Sequence, residues 1–209
     1  MIGLIFATRL EARPFLELSQ AEQVEERPIA LYHIRAMPQV CVAICRIGKV
    51  AAAATCQALI LSHKADRIIN AGACGALHDR PELAIGSLVH ITEAVEGDHE
   101  VFGRRPNPVV CTAGIGNGLP PARLVTCDRP IFDPVQREIQ GAFADVVDME
   151  GAAIARVAEL YGVPCEMVKG VTDNALSLDR KRLLENLNMV CDQISQWIWK
   201  TLAGAPNGQ

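Results

Sequence analysis

The sequence has no block or stripe of basic residues: 20 lysines and arginines are spread among 24 aspartates and glutamates, for a net charge of −4. Nucleic-acid binding relies on clustered positive charge, so we expect no nucleic-acid partner. No apolar run approaches the roughly 20 residues that a membrane-spanning helix needs. The apolar N-terminus also lacks the basic start of a signal peptide. These absences exclude a membrane partner and favour a compact small-molecule site.

The eight cysteines include no CxxC pair and no Cys/His cluster at zinc-finger spacing, so we predict no metal site. Several of them lie inside apolar runs, where a free cysteine behaves as a small hydrophobe. A chain of 209 residues can build an ordinary core without disulfides. Reduced thiols therefore predict a cytoplasmic location.

Apolar strand-like runs and helical segments alternate along the chain, without a linker or an internal repeat. The predicted strands span 2–7, 30–34, 39–45, 67–71, 87–93, 122–126, 146–147 and 165–171; the predicted helices span 11–18, 49–62, 133–142, 149–161 and 181–202. This alternation is typical of an α/β fold, a three-layer α/β/α domain with a central mixed sheet. We predict a single domain over 1–203, followed by a flexible tail over 204–209.

Chemically interesting residues follow four of the predicted strands. In open α/β sheets, ligands bind beyond the carboxyl ends of the strands. Glu11 follows the first strand, Glu150 follows the strand at 146–147, and Asp173 follows the last strand. The glycine-rich stretch 72–75 is predicted to break a strand as a turn with free backbone N–H groups. It has neither the GxGxxG fingerprint nor a Walker lysine.

Each carboxylate has a structural and a functional interpretation. Glu150 is either a helix-start acid favoured by the helix dipole, with Asp148 as N-cap, or an acceptor for paired sugar hydroxyls. Asp173 forms an Asx turn or N-cap, or it is a general acid, because burial raises the pKa of a carboxyl group.

Glu11 also has a structural and a functional interpretation. It is either a plain helix residue that pairs with Arg9 or Arg13, or a base that activates water.

Four motifs make the chain resemble a known family. RIGKVAA at 46–52 looks like its G-x-G-K-x-x-A turn and helix, and INAGACGAL at 69–77 is similar to its N-x-G-x-A-G-x-L stretch. DMEGAA at 148–153 looks like E-M-E-[GA]-A-A, and VKGVTD at 168–173 resembles V-R-x-[IV]-S-D. These motifs are those of the 5′-methylthioadenosine/S-adenosylhomocysteine nucleosidases. The family lies within the purine nucleoside phosphorylase superfamily, and the resemblance runs from residue 1 to about residue 202.

The resemblance implies a role for each site residue. Asp173 would protonate purine N7, and Glu11 would activate the attacking water. Glu150 would hold the ribose 2′- and 3′-hydroxyls, with Met149 packing under the sugar. The segment 127–131 resembles the strand end whose backbone reads adenine. The further residues expected to line the substrate site are Ala73, Ile131, Phe132 and Val147.

Some positions depart from the family pattern. Ala73 stands where the nucleosidases carry serine or threonine, which removes a hydroxyl near the nucleophile. Pro130 aligns with the aromatic residue that stacks on adenine, and Phe132 is the candidate substitute. Asp148 stands where glutamate is usual. The loop over 97–121, which normally shapes the pocket for the 5′-substituent, is shorter than in the typical nucleosidase.

We expect hydrolysis of the N-glycosidic bond of a purine nucleoside, with adenine as the base, without metal or organic cofactor. Methylthioadenosine, S-adenosylhomocysteine and related 5′-modified nucleosides are the expected substrates. The alternatives are a futalosine hydrolase and a phosphorylase, including the hopanoid-associated type; Arg9 and Arg13 would suit its phosphate. The family resemblance also implies a homo-oligomer, most simply a homodimer.

A nucleoside-binding module without turnover is the non-enzymatic alternative. The missing hydroxyl at Ala73 favours it. Retention of Glu11, Glu150 and Asp173 together argues against it, because a pure binder has no use for both an acid and a base.

Overall fold

The computed structural model describes residues 1–100, 102–174 and 180–204. Within them, the strands are β1 (Ile2–Phe6), β2 (Glu22–Glu25), β3 (Ala30–His33), β4 (Val40–Ile44), β5 (Arg67–Ala76), β6 (Leu88–Glu96), β7 (Val109–Val110), β8 (Pro121–Thr126), β9 (Val146–Asp148) and β10 (Cys165–Asp173). The α-helices are α1 (Arg9–Ser19), α2 (Lys49–Leu61), α3 (Pro134–Gly141), α4 (Gly151–Leu160) and α5 (Arg180–Gly204). Short 3₁₀ helices span Pro81–Leu83 and Gly114–Gly116.

The strands form one mixed sheet, in the order β10-β6-β8-β9-β5-β1-β4-β3-β2, with β7 paired to β6. β5 pairs with β9 on one side and also with β10, so five of the strands close into a ring. The pairs β1–β4, β1–β5, β5–β10, β6–β8 and β8–β9 are parallel. β1 and β10 run parallel to β5 and β9 runs antiparallel to it, and the carboxyl ends of β1, β9 and β10 meet beside β5, where the site lies.

Helices cover the sheet in two layers. Helix α1 packs against α5, and α2 packs against α4. Helices α1 and α5 pack on a core that includes Phe6, Phe15 and Ile194. Helices α2 and α4 pack on a core that includes Leu59 and Ile154. The predicted three-layer α/β/α fold with a central mixed sheet is therefore confirmed.

The prediction of a turn at 72–75 was wrong. β5 continues through these residues to Ala76, because both of its neighbours supply partners there: Gly72 pairs with Lys169 of β10, and Gly75 pairs with Val147 of β9. Glycine is usually a strand breaker, but a strand paired on both sides keeps its hydrogen bonds.

Other differences are smaller. β2, whose polar residues form the exposed edge of the sheet, was not predicted from the sequence. Helix α4 begins at Gly151, two residues later than predicted. Gly204 ends α5, and residues 205–209 of the predicted tail lie outside the described residues. The single-domain organisation stays a prediction.

All eight cysteines are free and buried. Burial raises the pKa of several of their thiols, to about 12 for Cys56 and Cys191. In the part of the chain that the structure describes, no helix is long and apolar enough to span a membrane.

Candidate active site

A cavity of about 300 Å³ opens at the carboxyl ends of β1, β9 and β10. All eight residues singled out from the sequence line it: Glu11, Ala73, Ile131, Phe132, Val147, Met149, Glu150 and Asp173. They come from distant parts of the chain and meet because the strands that precede them are neighbours in the sheet. Their individual roles stay predictions.

The capping of α1 fixes the position of the Glu11 side chain in the cavity. Thr8 is the N-cap, and the amide of Glu11 donates to its Oγ1 at 3.2 Å. The Glu11 Oε2 accepts from the Thr8 amide at 2.9 Å and from the Thr8 hydroxyl at 2.8 Å. This reciprocal arrangement is a capping box, and it holds the carboxylate back toward the start of the helix.

The other oxygen of Glu11 reaches the sheet. Its Oε1 accepts from the backbone amide of Ala73 at 3.1 Å. A Cβ on Gly72 would lie 2.9 Å from this oxygen, so the close approach requires glycine there. The ion-pair alternative is not realised: within the described residues, no ion pair joins Glu11 to Arg9 or Arg13. Both arginines are exposed, and neither lines the cavity.

A buried lysine, Lys169, interacts with the carboxylates of Asp148, Glu150 and Glu11. The Nζ of Lys169 is 2.8 Å from Oδ2 of Asp148, and both side chains are almost fully buried. Burial by itself would lower the pKa of Lys169, but the negative charges of Asp148, Glu150 and Glu11 outweigh it and raise this pKa. The lysine therefore stays charged and offsets part of the repulsion among the carboxylates.

Asp148 anchors the start of α4. Its Oδ1 accepts from the hydroxyl of Thr126 at 2.5 Å, and its Oδ2 accepts from the amide of Gly151 at 2.9 Å. Asp148 was predicted as the N-cap of this helix. Its side chain does accept from the first amide of α4, but Glu150 occupies the N-cap position.

Glu150 occupies the N-cap position of α4, as a helix-start acid would, but its side chain makes no hydrogen bond to that helix. Its Oε1 instead accepts from the amide of Gly48 at 2.8 Å. Among the described residues, no hydrogen bond reaches its Oε2. Burial first, and then the charge of Asp148, raise the pKa of Glu150 to about 7, against the opposing charge of Lys169.

The loop that carries Gly48 is fixed by its neighbour Lys49. The ammonium group of Lys49 lies 2.6 Å from Asp98 and 3.0 Å from Glu96. These ion pairs connect the start of α2 to the end of β6. The Gly48 amide is thereby held in place to meet Glu150.

Asp173 is held by two donors. The Thr172 hydroxyl donates to its Oδ1 at 2.9 Å, and Nη2 of Arg137 donates to its Oδ2. The Asx-turn alternative involves residues 175–179, which lie outside the described residues. A Cβ on Gly75 would lie 3.0 Å from Oδ2 of Asp173, so the glycine leaves room for this carboxylate.

Arg137 is a site residue that was not predicted from the sequence. It lies on α3, is 2% exposed and lines the cavity. Its Nε donates to the carbonyl of Ile131 at 2.8 Å, and its Nη1 donates to the carbonyl of Ala76 at 2.6 Å. One guanidinium therefore connects Asp173 to the strand end whose backbone was predicted to read the base. An arginine in a short polar helix gives no signal of this burial in the sequence.

Phe132 lies at the rim of the cavity and is 37% exposed. Pro130 and Arg129 line the same side. An aromatic ring therefore lines the cavity, although it is not at the position of the family's stacking residue.

A sequence model described as the Phosphorylase superfamily matches residues 1–122 and 119–202 of the chain. The aminodeoxyfutalosine nucleosidase of Helicobacter pylori strain J99 is 27% identical over 203 residues, covering 83% of this chain and 86% of the relative. The 5′-methylthioadenosine/S-adenosylhomocysteine nucleosidase of Arabidopsis thaliana is 33% identical over 172 residues, covering 75% of this chain and 66% of the relative.

A solved structure of the Helicobacter pylori 5′-methylthioadenosine/S-adenosylhomocysteine nucleosidase superposes with a TM-score of 0.88. It is 22% identical to this chain, and the match covers 97% of both chains, so it shows the same fold. With a family match along nearly the whole sequence, the chain belongs to the phosphorylase superfamily.

Proposed function

We propose that the protein hydrolyses the N-glycosidic bond of a 5′-modified adenine nucleoside. The observation that carries this proposal is the convergence of Glu11, Glu150 and Asp173 on one cavity from three separate strand ends. The names of the two relatives support it, because both are nucleosidases, one of aminodeoxyfutalosine and one of methylthioadenosine and S-adenosylhomocysteine.

Asp173 acts as the acid. A purine leaves poorly as an anion, so Asp173, protonated from solvent before the step, gives this proton to N7 while the electron pair of the C1′–N9 bond passes to the base. General acid help of this kind contributes roughly 10²–10⁴-fold. Arg137 stabilises the carboxylate that remains after the proton has left, and Thr172 fixes the orientation of the other oxygen.

Glu150 binds the sugar. Its Oε2 has no hydrogen bond in the described part of the chain, which leaves it available to the vicinal hydroxyls of ribose. Its negative charge also suits the oxocarbenium-like sugar that forms as the base departs. Met149 packs under the ring, while Val147 and Ala73 line the cavity around it. Ile131 and Phe132 bind the base.

Glu11 activates water. The attacking water forms a bond to C1′ and gives its proton to the Glu11 carboxylate. Phosphate is the weaker candidate nucleophile, because a carboxylate about 4 Å away would repel it by on the order of 1–4 kcal/mol per unit charge. Arg9 and Arg13, which could have offset this repulsion, do not line the cavity.

The domain extent, the cellular location and the oligomeric state are also proposals for this chain. We propose one domain over 1–203, a cytoplasmic location and a homodimer. The exposed apolar side chains of Ile47 and Val50, at the start of α2, support the homodimer. Size-exclusion chromatography with light scattering tests it, and a monomeric mass at micromolar concentration would contradict it.

The function is tested with a panel of purine nucleosides, with and without phosphate, followed by identification of base and sugar products. We expect adenine and a free sugar in phosphate-free buffer. Base release that requires phosphate and yields a sugar 1-phosphate would favour the phosphorylase. Tight binding without any base release would favour the nucleoside-binding module.

A further inference from the structure

Lys49, the first residue of α2, is held by carboxylates from two separate strand ends. Its Nζ lies 2.6 Å from Oδ1 of Asp98 and 3.0 Å from Oε2 of Glu96. Oδ2 of Asp128 is 3.4 Å from the same nitrogen. Glu96 ends β6 and Asp98 lies two residues beyond it, whereas Asp128 lies two residues beyond β8. One ammonium group therefore connects three elements of the fold.

The position of this lysine does not favour the helix. A positive charge in the first turn is opposed by the helix dipole. The side chain is only 14% exposed. Burial by itself would lower the pKa of Lys49, but the hydrogen bonds and charges of Asp98 and Glu96 outweigh it and raise this pKa. A lysine whose only role was to keep α2 soluble would gain nothing from this place.

On one side, Lys49 fixes the loop 46–48, which reaches the proposed sugar carboxylate. Gly48 donates its amide to Oε1 of Glu150 at 2.8 Å. Arg46 in this loop has a φ of +73°, in the left-handed region that a residue with a side chain rarely adopts. Such a conformation persists only when its surroundings hold it. The ion pairs of Lys49 fix the end of this loop.

On the other side, the same cluster fixes the segment 127–131, which is proposed to bind the purine. Asp98 accepts from the backbone amide of Asp128 at 2.6 Å through Oδ2, while its Oδ1 accepts from Lys49. Oδ1 of Asp128 also accepts from the amide of Lys49 at 3.3 Å. The next residues of this segment, 129–131, line the cavity. The loop 46–48 and the segment 127–131 are thus attached to one side chain.

We infer that Lys49 is a positioning residue, which holds the loop 46–48 and the segment 127–131 in one fixed relation, so that sugar and purine are bound in register for cleavage. This inference rests on the proposed function. Lys49 itself lies outside the lining of the cavity, and it acts through Glu150 and through the segment 127–131. A misplacement of about 1 Å between reacting groups costs about 10²-fold in rate.

Lys49→Met removes the charge and keeps most of the length of the side chain. We expect kcat/KM for 5′-methylthioadenosine to fall by about 10²-fold, with kcat as well as KM affected. Lys49→Arg keeps the charge and offers donors to Glu96 and Asp98, so it should recover most of this loss. Lys64→Met is the matched control. Lys64 is exposed and lies just beyond the end of α2, and its variant should keep the wild-type kcat/KM.

The pH dependence of nucleoside binding separates positioning from a general loss of stability. The charged and titratable groups that face Glu150 are Glu11, Cys45, Asp148 and Lys169. The amide of Gly48 favours the ionised form of Glu150. Once Lys49→Met releases this amide, the pH below which nucleoside affinity falls should rise by about one pH unit from its wild-type value near 7. The probe is 9-deazaadenosine, whose carbon–carbon bond to the sugar is not hydrolysed, and binding is measured by calorimetry.

Asp98→Ala releases the segment 127–131 alone, because Glu96 still holds Lys49. Its affinity for free adenine should fall by about threefold or more. The pH at which 9-deazaadenosine affinity falls should stay at the wild-type value. In Lys49→Met, both the adenine affinity and this pH should change.

A folded Lys49→Met variant with wild-type kcat/KM would overturn the inference. A loss of kcat/KM with unchanged adenine affinity and an unchanged pH dependence would overturn it as well, since Lys49 would then serve stability alone. Denaturant unfolding shows whether the variant is folded; if it is not, Lys49→Gln is measured by the same criteria. A wild-type protein that releases no base would count against the nucleosidase, and the altered pH dependence in Lys49→Met would still support the role of Lys49.

Discussion

Arg137 and Asp173 form a buried ion pair, in which Nη2 of the guanidinium donates to Oδ2 of the carboxylate. The same guanidinium also holds the carbonyls of Ile131 and Ala76. These contacts join α3 to β10. They fix the distance between the proposed acid and the backbone that is proposed to bind the base. Removing one partner of a buried ion pair leaves an uncompensated charge, at a cost of about 3–5 kcal/mol.

Arg137→Met should lower kcat by at least about 10²-fold, because small displacements of a catalytic group have effects of that size. Arg137→Lys keeps the charge but cannot reach three acceptors, so its kcat should lie between those of the methionine variant and the wild type. Steady-state kinetics and chemical denaturation are measured in parallel. A folded methionine variant with wild-type kcat would show that Arg137 serves stability alone.

Asp173→Asn should reduce turnover by roughly 10²–10⁴-fold while nucleoside binding persists. The amide is nearly isosteric, but it cannot deliver a proton to N7. Calorimetric titration with the nucleoside separates binding from turnover. Asp192→Asn, at an exposed position on α5, is the control and should behave like the wild type. Unchanged turnover in the Asp173 variant would remove Asp173 from the mechanism.

The raised pKa of Glu150, about 7, predicts a pH dependence of substrate binding. Below this pH the carboxyl is protonated and loses its charge, so affinity for nucleosides with both ribose hydroxyls should fall as the pH decreases through about 7. Affinity for free adenine should change much less. In Glu150→Gln, nucleoside binding should be weak and nearly independent of pH over this range. Equal losses for nucleoside and adenine would mean that Glu150 supports the fold and not the sugar.

The same pKa has a consequence for stability. Between the ordinary value of 4.5 and about 7, the folded protein holds a proton on Glu150 that the unfolded chain releases. Stability contributed by the protonated form is therefore lost as the pH rises through this window, by on the order of 1–3 kcal/mol. Denaturant unfolding at pH 5 and pH 8 should show a smaller difference for Glu150→Gln than for the wild type. If the difference in unfolding free energy between the two pH values were the same in both proteins, the raised pKa of Glu150 would be contradicted.

Gly72→Ala should reduce kcat by about tenfold or more, since the new methyl group would lie 2.9 Å from Oε1 of Glu11 and displace the proposed base. Gly3→Ala is a matched control in a neighbouring strand: its methyl group would lie 3.0 Å from Ile68 and Leu59 in the core. The control should lose stability but keep kcat. A Gly72 variant with full kcat would argue against Glu11 as the base.

The positions of the carboxylates could be predicted from the sequence because they depend on local order. Glu11 and Glu150 each follow an apolar strand, and Asp173 ends one; these strands, β1, β9 and β10, all pair with β5, and their carboxyl ends meet at one cavity. The turn predicted at 72–75 failed for the opposite reason. Local preference opposes a strand at a glycine-rich segment, whereas pairing with β9 and β10 on its two sides stabilises one.

The sequence by itself determined the alternation of strands and helices, the family motifs and the three carboxylates, since hydrophobic periodicity and residue type are properties of neighbouring residues. Only the tertiary structure decided that Arg137 contacts Asp173, 36 positions away, and that Lys169 lies among the carboxylates. It also decided that a second cavity adjoins the first and shares Ala7, Thr8 and Ile47 with it. Such contacts and spaces arise when distant elements pack together, and no short stretch of sequence specifies them.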